Sequence, residues 1–135
     1  MILIVRGDEF YMSCKLTVTK NPTYLHIIVT GLLNEKNVLQ YIEEIHRECT
    51  AHNCFRILLE ERLNGPRLDV TKVFKLISEE SSKSMGVFIA IAYVDINAVG
   101  DSMTFIENAS VNRGLPMKVF STVTDAEKWL LNKAR

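Results

Sequence analysis

The spacing of apolar side chains changes once along this chain, and that change limits the fold more than any other feature. In Cys14–Thr19 (CKLTVT) and again in Tyr24–Thr30 (YLHIIVT) apolar residues recur at every second position, the repeat of a strand with one buried face. Lys20-Asn21-Pro22 between them is a turn-forming run, so the two segments predict an antiparallel hairpin. Residues 2–5 offer a further short strand. Beyond Asn34 the repeat lengthens. Val38, Ile42, Ile45 and Cys49 stripe one side of a helix over 35–52, Glu43, Glu44, Arg47 and Glu48 take the other, and Asn34 can cap its first turn.

From there strand and helix patterns alternate. FRILLEE (55–61) reads as a buried strand. A helix opens at Asp69, whose carboxylate can cap, with Val70, Val73, Phe74 and Ile77 as its apolar stripe and Lys72, Lys75, Glu79 and Glu80 outside. GVFIAIAYV (86–94) is continuously apolar, as a central strand covered on both faces should be. A third helix spans about 102–113 and stops where Gly114 supplies a left-handed cap and Pro116 forbids continuation. MKVF (117–120) is a last short strand. Thr122 to Asp125 has capping-box spacing and opens a helix through Trp129 and Leu130. The order predicts an α/β fold: a mixed sheet that begins with an antiparallel hairpin and continues through alternating helices and strands.

A chain of 135 residues, 47% hydrophobic, suits a single domain over 1–135 that needs neither disulfide nor metal to hold its core. Sixteen basic residues balance sixteen acidic ones, which argues against a general nucleic-acid binder, since that role needs a basic face. The longest apolar run, 86–94, is about half what a membrane span requires. MILIVRGDEF has no basic leader ahead of a short apolar run. Together with an odd count of three cysteines, it predicts a reduced cytoplasmic protein.

TYLHIIVTGLL (23–33), RILLEERLNGP (56–66), NASVNRGLPMKVF (108–120) and DAEKWLL (125–131) resemble the STAS-like proteins, the anti-sigma-factor antagonist (SpoIIAA-like) fold and its small stand-alone bacterial relatives. The resemblance runs nearly the whole length of the chain. It implies a regulatory, protein-binding function and no catalytic residues. In the antagonists, the helix after the central strand opens on Asp-Ser-Ser/Thr-Gly, and the first Ser is phosphorylated. Here that stretch is Asp69-Val70-Thr71-Lys72. Asp69 matches, Thr71 matches the second hydroxyl, and Val70, which cannot accept a phosphoryl group, holds the acceptor's place.

Several clusters carry possible chemistry. His46, Cys49, His52 and Cys54 are four potential zinc donors within nine residues, but on a helix His52 turns roughly 120° away from His46, and Cys49 belongs to the apolar stripe. No metal site is therefore expected. Glu60, Glu61 and Arg62 end one central strand, and Asp95 and Asn97 follow another. In open α/β sheets this rim is where ligands bind, although a solvated rim explains the same residues. Asp69 and Thr71 at a helix start could meet a phosphate, against the simpler reading of a plain cap. Met103, Phe105 and Ile106, with Val99, form an apolar group able to line a pocket or to pack ordinarily against the sheet. His26 falls on the polar side of its strand with no nucleophile placed beside it, and reads as an exposed strand residue. No phosphate-binding glycine loop occurs, and no cofactor is expected.

Three classes of function follow. The leading one is a non-enzymatic regulatory module that binds a protein partner or a second copy of itself. The next is a small-molecule or lipid-binding domain, as in lipid-transfer proteins of the SEC14 kind, marked by an internal cavity lined by Phe105 and Ile106. The third is an enzyme built on Glu60, Glu61, Arg62 and Asp95, which requires those side chains to converge in a cleft.

Overall fold

The predicted hairpin forms from β1 (Cys14–Lys20) and β2 (Leu25–Leu32), antiparallel with Cys14 opposite Gly31 and Lys20 opposite Leu25. Its turn is closed by the Asn21 N–H, which donates to the Tyr24 carbonyl at 2.9 Å. The structure, a computed structural model, describes residues 14–84, 86–95 and 101–133, so the strand expected at 2–5 lies outside the described residues, as do Asn97 and Val99. Helix α1 (Glu35–His52) then crosses to β3 (Arg56–Asn64), α2 (Val70–Ser84) to β4 (Ala90–Val94), and α3 (Asp101–Asn112) to β5 (Met117–Phe120), before α4 (Val123–Lys133). Strands β2 to β5 run parallel in the order β1-β2-β3-β4-β5. This is the mixed α/β sheet that the alternation of periods predicts.

The expected caps are in place. Asn34 Oδ1 accepts from the Asn37 N–H at 2.8 Å, Asp69 Oδ1 from the Lys72 N–H at 2.9 Å, and Thr122 Oγ1 from the Asp125 N–H at 3.3 Å. Each satisfies an amide that has no partner inside its helix. Gly114 has φ +85° at the end of α3, the left-handed conformation that favours glycine.

Because side chains alternate across a strand, the sheet has two cores. Leu25, Ile27, Val29, Ile57, Leu59 and Ile91 belong to one, which also takes in Val38, Tyr41 and Ile45 of α1 and Leu76 of α2. Leu58, Ala90, Ala92 and Val94 form the other with Ala126 and Leu130 of α4.

Three local expectations are corrected. The apolar run 86–94 yields a strand only from Ala90. Gly86 turns with φ +77°, Ile89 is 54% exposed, and the partner strand β3 begins at Arg56, opposite Ala90. The inner stripe of α2 keeps Val73 and Ile77 but has Leu76 and Glu80 in place of Phe74, and the side chain of Val70 lies outside the described residues. Val73, Leu76, Ile77 and Glu80 face inward, and Phe74 is 44% exposed beneath the Arg113 guanidinium, 4.3 Å from the ring centroid. On α1, Glu44 is buried and pairs with Arg47 rather than facing solvent.

Candidate functional site

The parallel register brings two carboxylates together. Glu60 lies opposite Val94, so Glu61 and Asp95, one residue further on, stand side by side at the carboxyl end of the sheet. Both lie on the face that carries Leu59 and Tyr93 and is covered by α1, α2 and α3. Both are buried, Glu61 with 5% of its surface exposed and Asp95 with none. A carboxylate this deep needs donors. Tyr41 Oη from α1 donates to Glu61 Oε2 at 2.5 Å, and Tyr93 Oη from β4 donates to Glu61 Oε1 at 2.9 Å. Arg67, from the β3–α2 connection, donates through Nη2 to Asp95 Oδ2 at 2.5 Å and lies 3.8 Å from Glu61 Oε1.

Burial raises the Glu61 pKa above the ordinary carboxyl value. The two phenol donors and Arg67 oppose that rise, and the charge of Asp95 adds to it. The hydroxyls of Tyr41 and Tyr93 are held well above the usual range, first by burial and then by the Glu61 charge, so both remain donors.

These groups line one part of a cavity of about 510 Å³ between the sheet and the three helices. Most of its wall is apolar: Leu33 and Val38, Leu59 of β3, Leu76 and Ile77 of α2, and Leu115 ahead of β5. Phe105 and Ile106 of α3 are in this wall, and the side chain of Met103 lies outside the described residues. Ser110, near the other end of α3, lines it as well.

Strand alternation divides the expected rim cluster. Glu60 and Arg62 point to the opposite face of the sheet from Glu61 and Asp95, so the four side chains do not converge. On that face Glu60 Oε1 lies 2.8 Å from His26 Nε2, and Arg62 donates to Glu60 Oε2 through Nε at 2.9 Å and Nη2 at 2.6 Å. His26 is thus a partner of a buried carboxylate rather than an isolated exposed side chain. Asp69 caps α2 through Oδ1, and Thr71 is exposed in the first turn of that helix; neither lines the cavity. No three of the four zinc-donor types come together. Cys49 is enclosed, with burial pushing its thiol up to about 12, His46 stands edge-on to Phe88, and His52 lies 3.5 Å from Glu48. Among the described residues, no three His, Cys, Asp or Glu side chains are grouped to hold a metal ion.

Tyr41, Arg67 and Tyr93 escaped the sequence reading. Tyr41 lies three residues after Val38 and four before Ile45, on their helical face. Tyr93 and Asp95 follow Ile91 at strand spacing, so both were open to the same periodic reasoning. Arg67 sits in a connection with no periodicity, and nothing in the sequence ties it to Asp95.

No protein-family model matches the chain, and no curated protein matches it. Among solved structures it is similar to an uncharacterized protein from the DUF3478 family with a SpoIIAA-like fold from Shewanella loihica PV-4. The two share 17% sequence identity at a TM-score of 0.53, over 87% of this chain and 93% of that one. The fold is therefore SpoIIAA-like, of the STAS kind that the sequence resembles. No helix of the described residues is long and apolar enough to cross a membrane.

Proposed function

We propose that this chain is a binding module on a SpoIIAA-like fold, and that its cavity holds a small, largely apolar molecule. The cavity itself carries the reading. Its volume of about 510 Å³ falls in the usual range for small-molecule sites, and its wall is mostly apolar with a few converging polar groups. A module that only docks another protein has no need of such an interior space. Regulation through a protein partner, which the resemblance implies, has the fold behind it but meets Val70 where a phospho-acceptor is required.

A neutral fluorescent probe, N-phenyl-1-naphthylamine, tests this reading, because its emission rises on leaving water. The expected result is saturable binding at one site per chain. Replacing Ile106 in the cavity wall with the larger Trp should remove that binding while leaving the far-ultraviolet circular dichroism of the fold. Unsaturable binding, or equal binding by a folded Ile106→Trp variant, would overturn the assignment.

A further inference from the structure

We propose that the molecule this cavity takes is an organic cation, an amine on an apolar body, whose ammonium sits against Glu61 and Asp95. The inference rests on the cavity being a ligand site and adds the charge of the ligand. Three acidic residues line the cavity, Glu61, Glu80 and Asp95, against one basic residue among the described lining, Arg67. Glu80 has its own partner in Lys83, at 3.2 Å. Arg67 is committed to Asp95 at 2.5 Å and reaches Glu61 only at 3.8 Å, with its side chain 45% exposed. Arg67 stands closer to Asp95 than to Glu61, so among the described side chains Glu61 is the carboxylate further from a cation.

The remaining contacts of Glu61 prepare it for such a ligand. The two phenols donate one to each oxygen, which fixes the carboxylate and leaves each oxygen able to accept again. An ammonium brings both a charge and the donors to use them. A ligand carboxylate would instead set a third negative charge beside Glu61 and Asp95. A neutral ligand would leave Glu61 desolvated beside Asp95, the combination that already raises its proton affinity.

A second observation, independent of the acidic residues, points to an occupant. Ser110 lines the cavity with none of its surface exposed, and its hydroxyl has no hydrogen-bond partner among the described residues. A buried serine inside a helix can satisfy its hydroxyl on the carbonyl four residues back, and this one does not. It offers a hydrogen-bonding position to a molecule in the cavity. Helix α3 runs back along the sheet, so Ser110 stands toward the opposite end from Asp95. The Leu115 N–H bonds to the Ser110 carbonyl, and Met117 pairs with Ile91, four residues before Asp95, or about 13 Å along the strand.

Calorimetric titration of the whole chain with 1-octylamine, 1-octanol and octanoate at neutral pH separates the possibilities, because the three share one apolar body. The amine should bind at least tenfold more tightly than the alcohol, and octanoate more weakly than either. In Glu61→Gln the amine-to-alcohol ratio should collapse to within about threefold. An alcohol as tight as the amine, or octanoate as the tightest ligand, would overturn the cationic assignment and leave the cavity reading standing. Failure of the amine to bind would overturn the cationic assignment, and the naphthylamine titration separately decides the cavity reading. The wild-type comparison stands even if the variant does not fold.

Discussion

Among single residues on the face covered by α1, α2 and α3, Glu61 carries a carboxylate that burial makes costly to keep charged. Its charged form has lost water and faces Asp95, while Tyr41 from α1, Tyr93 from β4 and Arg67 from the β3–α2 connection return part of that loss. The folded pKa is raised above 4.5, so the folded state holds this proton more strongly than the unfolded chain does. Its contribution to stability is therefore complete below pH 4.5 and is lost as pH rises through the folded value. Glu61→Gln keeps the size and an acceptor oxygen but cannot titrate. Urea midpoints measured from pH 4.5 to neutral should show the wild type falling relative to the variant and then levelling. Parallel curves would mean that Glu61 titrates in the fold as it does in the open chain.

At the scale of elements, the caps and the left-handed glycines are where the sequence decides structure locally. Asn34→Ala and Asp69→Ala each remove one acceptor from a helix start and should cost about 1 kcal/mol apiece. Gly114→Ala adds a methyl that meets nothing within 4 Å, so its cost is the backbone conformation alone, roughly 1–2 kcal/mol. Gly65→Ala should cost more, since φ is +107° and the new Cβ would lie 3.0 Å from Leu32 Cδ1. Urea midpoints of these four variants check the order, and an equal loss at Gly65 and Gly114 would show that Leu32 gives way freely. These same signals made the elements readable in advance. Asn34, Asp69, Thr122 and Gly114 mark ends, and the shift from alternation to helical spacing marks types. The site was only half readable. Glu60, Glu61 and Arg62 are neighbours in sequence, yet a strand sends the middle one to the opposite face, so adjacency misled where period two would have divided them. Reading Asp95 beside Glu61 needs the β3–β4 register, which depends on which strands pair, and Arg67 depends on the path of a connection. Phe74 was misplaced because a helical stripe of Val73, Phe74 and Ile77 fits about as well as one of Val73, Leu76, Ile77 and Glu80, and only packing against the sheet chooses between them.

At the scale of the whole molecule, the cavity joins parts that the chain order keeps separate. Its wall draws on β3 and β4 and on all three helices of one face, through Leu59, Tyr93, Val38, Leu76 and Ile106. A molecule bound there touches every layer of that side, so its binding energy should appear in global unfolding rather than in one loop. A ligand that binds only the folded state at a hundred times its Kd adds about 2.7 kcal/mol. For a chain of 135 residues that corresponds to a rise in Tm of roughly 8–10 °C. N-phenyl-1-naphthylamine at saturation should give such a shift in the wild type and none in Ile106→Trp, with the rise growing as the logarithm of probe concentration. The same probe should slow amide exchange in α2 and α3 along with the central strands, because these helices close over it. A shift of equal size in both proteins would mean that the probe binds the surface, and the cavity would then be a packing feature between sheet and helices rather than a binding site.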